Sequence, residues 1–351
     1  MDYLHGLKEW TPAFVWPAKF CVATTVASYV LSVVTGNVSQ VDRVWTFLPT
    51  IYTAYYALMP LWPRASPTPL FPYTPQEVDS SITSDFSPRA LLMLAMVTTW
   101  MFRLSYNTWR RGLFNLKDED YRWEILRQKI PWYLFQVFNL TFIAIAQNII
   151  LFLLGIPTQA AAAQPHTPLA PSDYVLGTLG FLAIAIEFVA DNQQYSFQTC
   201  KHSGKLVAND WPGARIRWTP EDTKRGFATR GLWAWSRHPN FLCEQSFWII
   251  INLLPLLSPS SPSLTFPPSS LTSLAPLAPC LVLCTLFFSS TRFSEAISLS
   301  KYPVAYAAYQ RRVGMFVPLA TPLWGFLLRL QGEKDEVDRL IFGSHDAKKS
   351  E

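Results

Sequence analysis

Charged residues and cysteines are scarce in this sequence, and both shortages narrow the classes of protein it can belong to. Asp, Glu, Lys and Arg make up 15% of the 351 residues, well under the roughly 25% that soluble domains carry. The five cysteines form no Cys-x-x-Cys pair and no zinc-ligand spacing, so nothing indicates a disulfide scaffold or a zinc finger. Walker, dinucleotide-binding, zinc-protease and serine-hydrolase motifs are also absent, and no nucleic-acid partner is expected.

Long apolar runs are what the sequence does contain, and half of its residues are apolar (50%). A run of about 20 mostly apolar residues is long enough to span a bilayer as a helix. Seven such runs lie near residues 16–36, 44–62, 90–109, 131–155, 173–190, 241–257 and 272–291. Seven spans leave little room for a soluble domain. The sequence therefore predicts an all-α, polytopic membrane protein with about seven transmembrane helices.

Positive charge alternates between the loops that connect these runs. Segment 103–130 holds seven Arg and Lys residues and segment 191–240 holds eight, whereas 156–172 and 258–271 contain no Asp, Glu, Lys or Arg. Loops rich in Arg and Lys face the cytoplasm. We therefore expect a multi-pass protein with both basic segments and the C-terminus in the cytoplasm and the neutral loops on the far side.

The distribution of polar residues predicts three regions. Residues 1–90 read as N-terminal anchor spans that end in a Pro- and Ser-rich far-side loop, 91–325 as a membrane core that carries the polar segments, and 326–351 as a polar tail. Ionisable residues cluster at the cytoplasmic ends of the core in segments 100–124, 187–201, 230–248 and 292–312. Such residues are costly to place in a membrane, and four such segments on one side predict a cofactor cavity that opens to the cytoplasm.

The stretch GLWAWSRHPNFLCEQSFW (231–248) predicts a helix that begins at Pro239, where proline is favoured. Asn240 and Glu244 then share a face, one turn apart. Arg237 and His238 stand just before the helix, where unpaired backbone N–H groups favour an anion. The stretch thus predicts a phosphate or carboxylate site, with Glu244 accepting from a ligand one turn deeper. The alternative is that Arg237 reaches lipid phosphates and Glu244 pairs with an arginine.

Two further segments carry carboxylates near predicted membrane ends. Glu187 and Asp191 lie one turn apart, and they could bind ribose hydroxyls or hold arginines from elsewhere. Glu295 and Tyr302 share a helical face in the segment after the last span. An aromatic belt at the membrane surface accounts for the tyrosine without any function. It accounts less well for Glu295.

The end of the third predicted span is basic and aromatic. Arg103, Asn107 and either Arg110 or Arg111 fall on one stripe, with Tyr106 on an adjacent face. Such a pattern is consistent with a binding site. It is equally typical of a helix end that anchors in the cytoplasmic leaflet.

Several of these segments together resemble a known family. The stretch GLWAWSRHPNFLCEQSFW, with DNQQYSFQ before it and FSEAISLSKYPVAYAAYQRRVGMFVP after it, resembles the C-terminal region of the steroid 5α-reductase family, in particular its uncharacterised DUF1295 branch. VDRVWTFLPTIYTAYYA and FRLSYNTWRRGLFNLKDEDYRWE resemble the N-terminal motifs of that branch. The resemblance covers roughly residues 40–320, and the motifs are specific in combination.

The resemblance implies a seven-helix membrane enzyme of the endoplasmic reticulum with an NADPH pocket open to the cytoplasm. Family members deliver hydride to an activated C=C bond in a lipid. Asn240 and Glu244 match the element that contacts the nicotinamide end, Asp191 matches a carboxylate that holds the cofactor, and Glu295 and Tyr302 lie on the adenosine side. With the residues singled out from their own pattern, the expected cofactor site comprises Arg103, Arg111, Asp191, Arg237, His238, Asn240, Glu244, Glu295 and Tyr302.

Departures from the family pattern concern the catalytic step. Cys243 replaces a glycine of the motif, and Trp100 aligns with an aromatic residue that supplies a catalytic hydroxyl in steroid reductases. The expected proton donors are therefore Tyr106 and Asp42, with Tyr52 or a water as alternatives.

Two other functions stay open. The SRHPN motif and a Glu…Tyr-x-x-Tyr tail are similar to motifs of isoprenylcysteine carboxyl methyltransferases, which use S-adenosylmethionine. That cofactor has no phosphate, so the abundant cytoplasmic arginines favour NADPH. A lipid-binding protein without chemistry is the second alternative, and Trp100 supports it. The leading hypothesis is an NADPH-dependent reductase of a lipid or sterol-like substrate.

Overall fold

The computed structural model describes residues 11–205, 211, 214–259 and 275–343. Throughout these ranges the regular structure is helical, without a strand, which confirms the all-α prediction. The α-helices span Val15–Thr35 (α1), Gln40–Val44 (α2), Leu48–Ala57 (α3), Ser80–Thr83 (α4), Pro88–Arg110 (α5), Tyr121–Lys129 (α6), Trp132–Phe138 (α7), Gln147–Leu153 (α8), Ile156–Ala162 (α9), Pro171–Ser203 (α10), Pro220–Arg225 (α11), Pro239–Leu256 (α12), Ala278–Lys301 (α13), Pro303–Arg312 (α14), Ala320–Leu330 (α15) and Lys334–Phe342 (α16). A π-helix at Asn139–Ala146 joins α7 to α8.

Within the described ranges, four helical segments are long and apolar enough to cross a membrane. They are Pro12–Thr35, Trp132–Ala162, Pro171–Ser203 and Ala275–Lys301. The first carries a stripe of exposed valines at a spacing of four, Val22, Val26, Val30 and Val34. Because that spacing places the valines on one face of the helix, this face suits lipid rather than water. The segments support a membrane protein, and they match four of the seven predicted spans.

The predicted span at 44–62 is divided in the structure. The chain breaks between α2 and α3, and a short 3-10 turn at Met59–Leu61 follows α3. The ten residues of α3 rise about 15 Å at 1.5 Å each, whereas the hydrocarbon core is about 30 Å thick. The predicted spans at 90–109 and 241–257 do form helices, α5 and α12, but neither is among the four segments above.

The chain packs as two compact units. The first comprises Met1–Phe181 and Trp248–Leu283, and the second comprises Leu182–Phe247 and Cys284–Glu351. The predicted functional regions with bounds at 90 and 325 stay a prediction, because a partition by packing does not assign function.

In the first unit, α3 packs against α5 and α9. Tyr52 of α3 is fully buried and meets the rings of Phe20 and Phe152 edge-on, with centroids 5.8 and 5.4 Å apart. At another point in this unit, the buried side chains of Arg89 and Asp173 form a two-pronged ion pair. Aromatic packing and a paired charge thus share the interior of this unit.

The second unit is built around α14, which packs against α15 and α16. Val337 and Ile341 of α16 are buried beside Tyr306 and Tyr309 of α14. The predicted polar tail therefore contains an amphipathic helix that is docked by its apolar face. The part of the tail from 344 to 351 lies outside the described residues.

Candidate functional site

The turn before α12 is held by backbone and hydroxyl hydrogen bonds within the second unit. Arg237 N donates to the carbonyl oxygen of Gly314 at 2.9 Å. The Thr321 hydroxyl donates to the Trp235 carbonyl at 2.6 Å and accepts from Gly314 N at 2.9 Å. The stretch that opens α12 is therefore fixed in position by residues that lie about 80 positions later in the sequence.

A buried ion-pair cluster joins this turn to α13. Arg237 Nε lies 2.7 Å from Glu295 Oε1, and His238 Nε2 lies 3.0 Å from the same oxygen. Gln310 Nε2 donates to Glu295 Oε2 at 2.9 Å. Arg237 Nη1 also donates to the carbonyl oxygens of Gln310 and Val313. The Arg237 and Glu295 side chains are only 7% and 5% exposed. Their opposite charges therefore neutralise each other in the interior of the unit.

The cluster bears on the expected anion site. The sequence predicts that Arg237 and His238 bind an anionic ligand just before α12. In the structure the anion that both residues contact is the Glu295 carboxylate. A role for these three residues toward a cofactor would then be one of positioning. Their assignment to the cofactor site stays a prediction.

A second buried polar group lies at the first turn of α12. Asn240 Nδ2 donates to Asp191 Oδ1 of α10 at 3.3 Å. The Oδ1 atom of Asn240 is buried and has no hydrogen-bond partner among the described residues. Asp191 and Glu244 are each 5% exposed, and Glu187 of α10 is 3% exposed. Beside Glu295, the second unit thus holds three further buried carboxylates on α10 and α12, Glu187, Asp191 and Glu244. Asp191 is bonded to an amide whose oxygen has no donor among the described residues.

The loop that precedes this turn is docked on α10 through a glycine. Gln193 Oε1 accepts from Leu232 N at 2.9 Å, and Trp233 Nε1 donates to the Ala190 carbonyl at 3.2 Å. Gly231 has φ +66°, and a Cβ at this position would lie 2.6 Å from Gln193 Oε1. Only glycine combines this backbone conformation with so close an approach. Gln193 is a residue that the sequence reasoning missed, although it adjoins Asp191 in the quoted DNQQYSFQ motif.

Tyr302 is held near the same loop by a lysine. Lys201 Nζ donates to the Tyr302 hydroxyl oxygen at 3.1 Å and to the Gly226 carbonyl at 2.9 Å. The predicted residue Tyr302 therefore lies in the second unit, where Lys201 supplies a cation 5.4 Å from its ring centroid. Lys201 was missed because nothing in its local pattern distinguishes it from other basic residues of a cytoplasmic helix end.

Asp222 forms a third polar centre in the second unit. Its side chain closes a capping box with Thr219 at the start of α11 and pairs with Arg225 at 2.8 Å and Arg230 at 3.0 Å. Burial alone would raise the pKa of this carboxyl, but hydrogen bonds from the Thr219 backbone and from Arg225 outweigh it and lower the pKa. Two arginines of the basic segment 191–240 are therefore bound to a carboxylate. A Thr-Pro-Glu-Asp capping signal was present in the sequence to find this centre.

The other predicted site residues belong to the first unit. Asp42 accepts a hydrogen bond from Trp123 Nε1 at 3.1 Å, and burial raises its pKa despite that bond. Arg103 is 7% exposed and Tyr106 is 37% exposed, and Arg111 is exposed at the end of α5. The structure thus brings Asp191, Arg237, His238, Asn240, Glu244, Glu295 and Tyr302 together in one unit and leaves Asp42, Arg103, Tyr106 and Arg111 in the other.

Trp100, for which the resemblance predicts the position of a hydroxyl-bearing aromatic residue, packs in the interior of the first unit. It is fully buried and meets Trp248 edge-on, with ring centroids 5.1 Å apart. Over the described ranges, no group of three His, Cys, Asp or Glu side chains could hold a metal ion.

Comparisons with known proteins identify a family. The family model "Protein of unknown function (DUF1295)" matches residues 28–313. An uncharacterized protein of Schizosaccharomyces pombe is 32% identical over 289 residues, which are 82% of this chain and 74% of the yeast protein. No solved structure matches significantly.

Proposed function

The chain belongs to the DUF1295 family of proteins of unknown function, and we propose that it is an NADPH-dependent reductase related to the steroid 5α-reductases. The substrate is a lipid or sterol-like molecule with a C=C bond activated by conjugation. NADPH supplies the hydride, while the protein orients both reactants, excludes water and provides a proton.

The observation that carries this proposal is the amide and carboxylate group formed by Asn240 and Asp191. A buried acceptor such as Asn240 Oδ1 is costly when no donor satisfies it. The carboxamide N–H groups and ribose hydroxyls of NADPH are donors of the required kind. Asp191 and the buried Glu244 would accept from the same groups. The residues of this group therefore fit the nicotinamide end of the cofactor.

The ion-pair cluster of Arg237, His238 and Glu295 would hold the turn from which Asn240 extends. Arg237 and His238 directly precede α12, and both are tied to Glu295 of α13. Because two backbone bonds fix the same turn, Asn240 is held on a rigid element. Rigid placement of a binding residue reduces the entropy that ligand binding costs.

Asp42 is the better supported of the two expected proton donors. Burial raises the pKa of its carboxyl, so the group keeps its proton to a higher pH than an exposed aspartate. A general acid near neutral pH needs such a shift. Tyr106 is the second expected donor, and its partly exposed hydroxyl-bearing ring lies 5.1 Å from the Arg110 guanidinium.

One structural observation favours the methyltransferase alternative. Arg225 and Arg230 are bound to Asp222, and Arg237 is bound to Glu295. NADPH carries two phosphate groups in its bridge and a third on the ribose, and each favours an arginine partner. S-adenosylmethionine carries none and makes no such demand. A lipid-binding protein without chemistry is the remaining alternative, which the packing role of Trp100 favours.

The finer membrane placement is part of the same proposal. We place α5 and α12 as further spans beside the four segments described above, with a seventh contribution from the divided segment 44–62. The second unit's polar groups and the C-terminus then face the cytoplasm, and the membrane is that of the endoplasmic reticulum.

The test is ligand stabilisation of the purified full-length protein in detergent. NADPH, NADH and S-adenosylmethionine are added separately, and the unfolding midpoint is measured. A ligand present at a hundred times its Kd adds about 2.7 kcal/mol to the stability. We expect stabilisation by NADPH. Stabilisation by S-adenosylmethionine alone would support the methyltransferase, and no response to any of the three would refute both enzyme hypotheses.

A pair of asparagine variants ties the response to the site. Asn240→Leu removes the unmet acceptor, and we expect NADPH to bind roughly tenfold more weakly, a loss of about 1.4 kcal/mol. Asn252→Leu is the matched control, because Asn252 is also a buried amide of α12 and its Oδ1 likewise has no hydrogen-bond partner among the described residues. It lies about 18 Å further along the helix. Equal NADPH affinity in both variants would contradict the role of Asn240.

A further inference from the structure

Arg43 of α2 is a buried arginine whose charge has no carboxylate partner in the described part of the chain. Its side chain is 8% exposed. Nη2 donates to the carbonyl oxygens of Asn115 at 2.9 Å and Asp118 at 2.7 Å. The Nε and Nη1 atoms are buried and have no hydrogen-bond partner among the residues that the structure describes. Three N–H donors of a guanidinium cation are therefore left without an acceptor in the described part of the chain.

Two other buried arginines of this chain, Arg89 and Arg237, have acceptors on all three of their guanidinium nitrogens. Arg89 Nε and Nη2 bond both oxygens of Asp173 at 2.8 and 2.9 Å, and its Nη1 bonds Gln164 Oε1 at 3.0 Å. Arg237 likewise has Glu295 and two carbonyl oxygens. Burying a cation without a counter-charge is far more costly than burying a pair. Arg43 thus lacks the carboxylate partner that Arg89 and Arg237 have, as far as the described residues show.

A second unpartnered polar atom lies one turn away. Thr46 is 1% exposed, and its Oγ1 is also buried without a hydrogen-bond partner among the described residues. Residues three apart in a helical turn lie on the same side, and the turn continues past α2 through the bond from Phe47 N to the Val44 carbonyl. A guanidinium and a hydroxyl are the donors that commonly bind oxyanions.

We propose that Arg43 and Thr46 form a binding site for a phosphate group. Both hydrogens of Nη2 are used by carbonyl oxygens, so a carboxylate cannot form the usual two-pronged contact that needs this nitrogen together with Nε or Nη1. A phosphate offers three acceptor oxygens and up to two negative charges, enough for the remaining N–H donors and the Thr46 hydroxyl. The site is made of first-unit residues alone, so it stands or falls independently of the proposed reductase activity.

The position of the site suggests two sources of the phosphate. Arg43 follows the membrane-length segment Pro12–Thr35 by eight residues, which is close to the level of lipid headgroups. A phospholipid headgroup and a free phosphate in solution share the chemistry that the site recognises. The experiment is therefore designed to separate them.

The test uses the full chain in detergent with three probes: short-chain phosphatidic acid, the matching diacylglycerol without phosphate, and inorganic phosphate. We expect phosphatidic acid or inorganic phosphate to raise the unfolding midpoint, and whichever acts at the lower concentration identifies the source. Arg43→Met should abolish the rise. Arg329→Met, which removes an exposed arginine of the second unit, should leave it intact.

The proposal is overturned if neither phosphate-bearing probe stabilises the wild type, if diacylglycerol stabilises it as much as phosphatidic acid, or if Arg43→Met keeps the full response. Thr46→Val serves if Arg43→Met does not fold, because it keeps the side-chain shape and removes one hydroxyl. We expect this variant to bind the phosphate roughly tenfold more weakly, equivalent to about 1.4 kcal/mol. An affinity equal to that of the wild type would exclude Thr46 and with it the site as defined.

Discussion

Glu295→Gln is the substitution that tests most directly how the second unit is held together. It removes the charge that pairs with Arg237 and His238 but keeps the size of the side chain. Both members of the pair are almost fully buried, at 7% and 5% exposure. Breaking a buried pair by removing one partner typically costs about 3–5 kcal/mol, because the other charge stays buried.

The structure indicates that the cost of Glu295→Gln lies at the lower end of this range. Arg237 keeps the carbonyl oxygens of Gln310 and Val313 as acceptors, and a glutamine at 295 still offers one oxygen to its Nε. We therefore expect a loss of about 3 kcal/mol in the free energy of unfolding. The assay is equilibrium unfolding of the purified protein in mixed detergent micelles at neutral pH.

The matched control is Glu333→Gln, which breaks the exposed pair of Glu333 with Arg311, where the side chains are 46% and 52% exposed. Exposed pairs contribute only about 0–1 kcal/mol. If Glu295→Gln costs no more than Glu333→Gln, the reasoning that burial makes this cluster structural is refuted. The double variant Arg237→Met with Glu295→Leu should cost less than the single change, since it leaves no buried charge behind.

Two further predictions concern a glycine and an acid of the second unit. In thermal unfolding, Gly231→Ala should destabilise the protein by more than Gly332→Ala. Both glycines have φ near +70°, and the left-handed strain that they share costs about 1–2 kcal/mol, but of the two only Gly231 has a neighbouring side chain, that of Gln193, within 4 Å of the added Cβ. Equal losses of stability would contradict the close contact. Asp222 has a lowered pKa in the folded state, so its stabilising effect is present above the unfolded pKa of about 3.9 and is lost as the pH falls through the folded value. The wild type should therefore lose stability between pH of about 5 and 2 more steeply than Asp222→Asn, and parallel pH profiles of the two would refute this.

The helical class and the membrane-length segments were predictable from the sequence because they depend on local composition. The runs at 16–36, 131–155, 173–190 and 272–291 each correspond to a segment of sufficient length and hydropathy. The run at 44–62 does not form one helix. Apolar composition alone does not show where a helix ends, and the breaks before and after α3 leave it about half the length that a span needs.

The sequence singles out candidate site residues, but it does not show which residues they contact. Asn240 and Glu244 were proposed from helical spacing within a motif, and their assignment to a cofactor site stays a prediction. The partners of Arg237 were not recognised, since Glu295 is 58 positions away and several carboxylates were equally available to it. Lys201 and Gln193 were missed for the same reason: their contacts with Tyr302 and Leu232 depend on how distant segments pack.

The sequence by itself thus determined the membrane character, the helical class and the family, because hydropathy, periodicity and motifs are read along the chain. The tertiary structure decided which charged side chains pair with one another inside the protein. It paired Arg237 with Glu295 and bound Arg225 and Arg230 to Asp222, while Arg43 was buried against two carbonyl oxygens. The physical reason is that the cost of a charge depends on its burial and on its nearest partner, and both are properties of the folded chain.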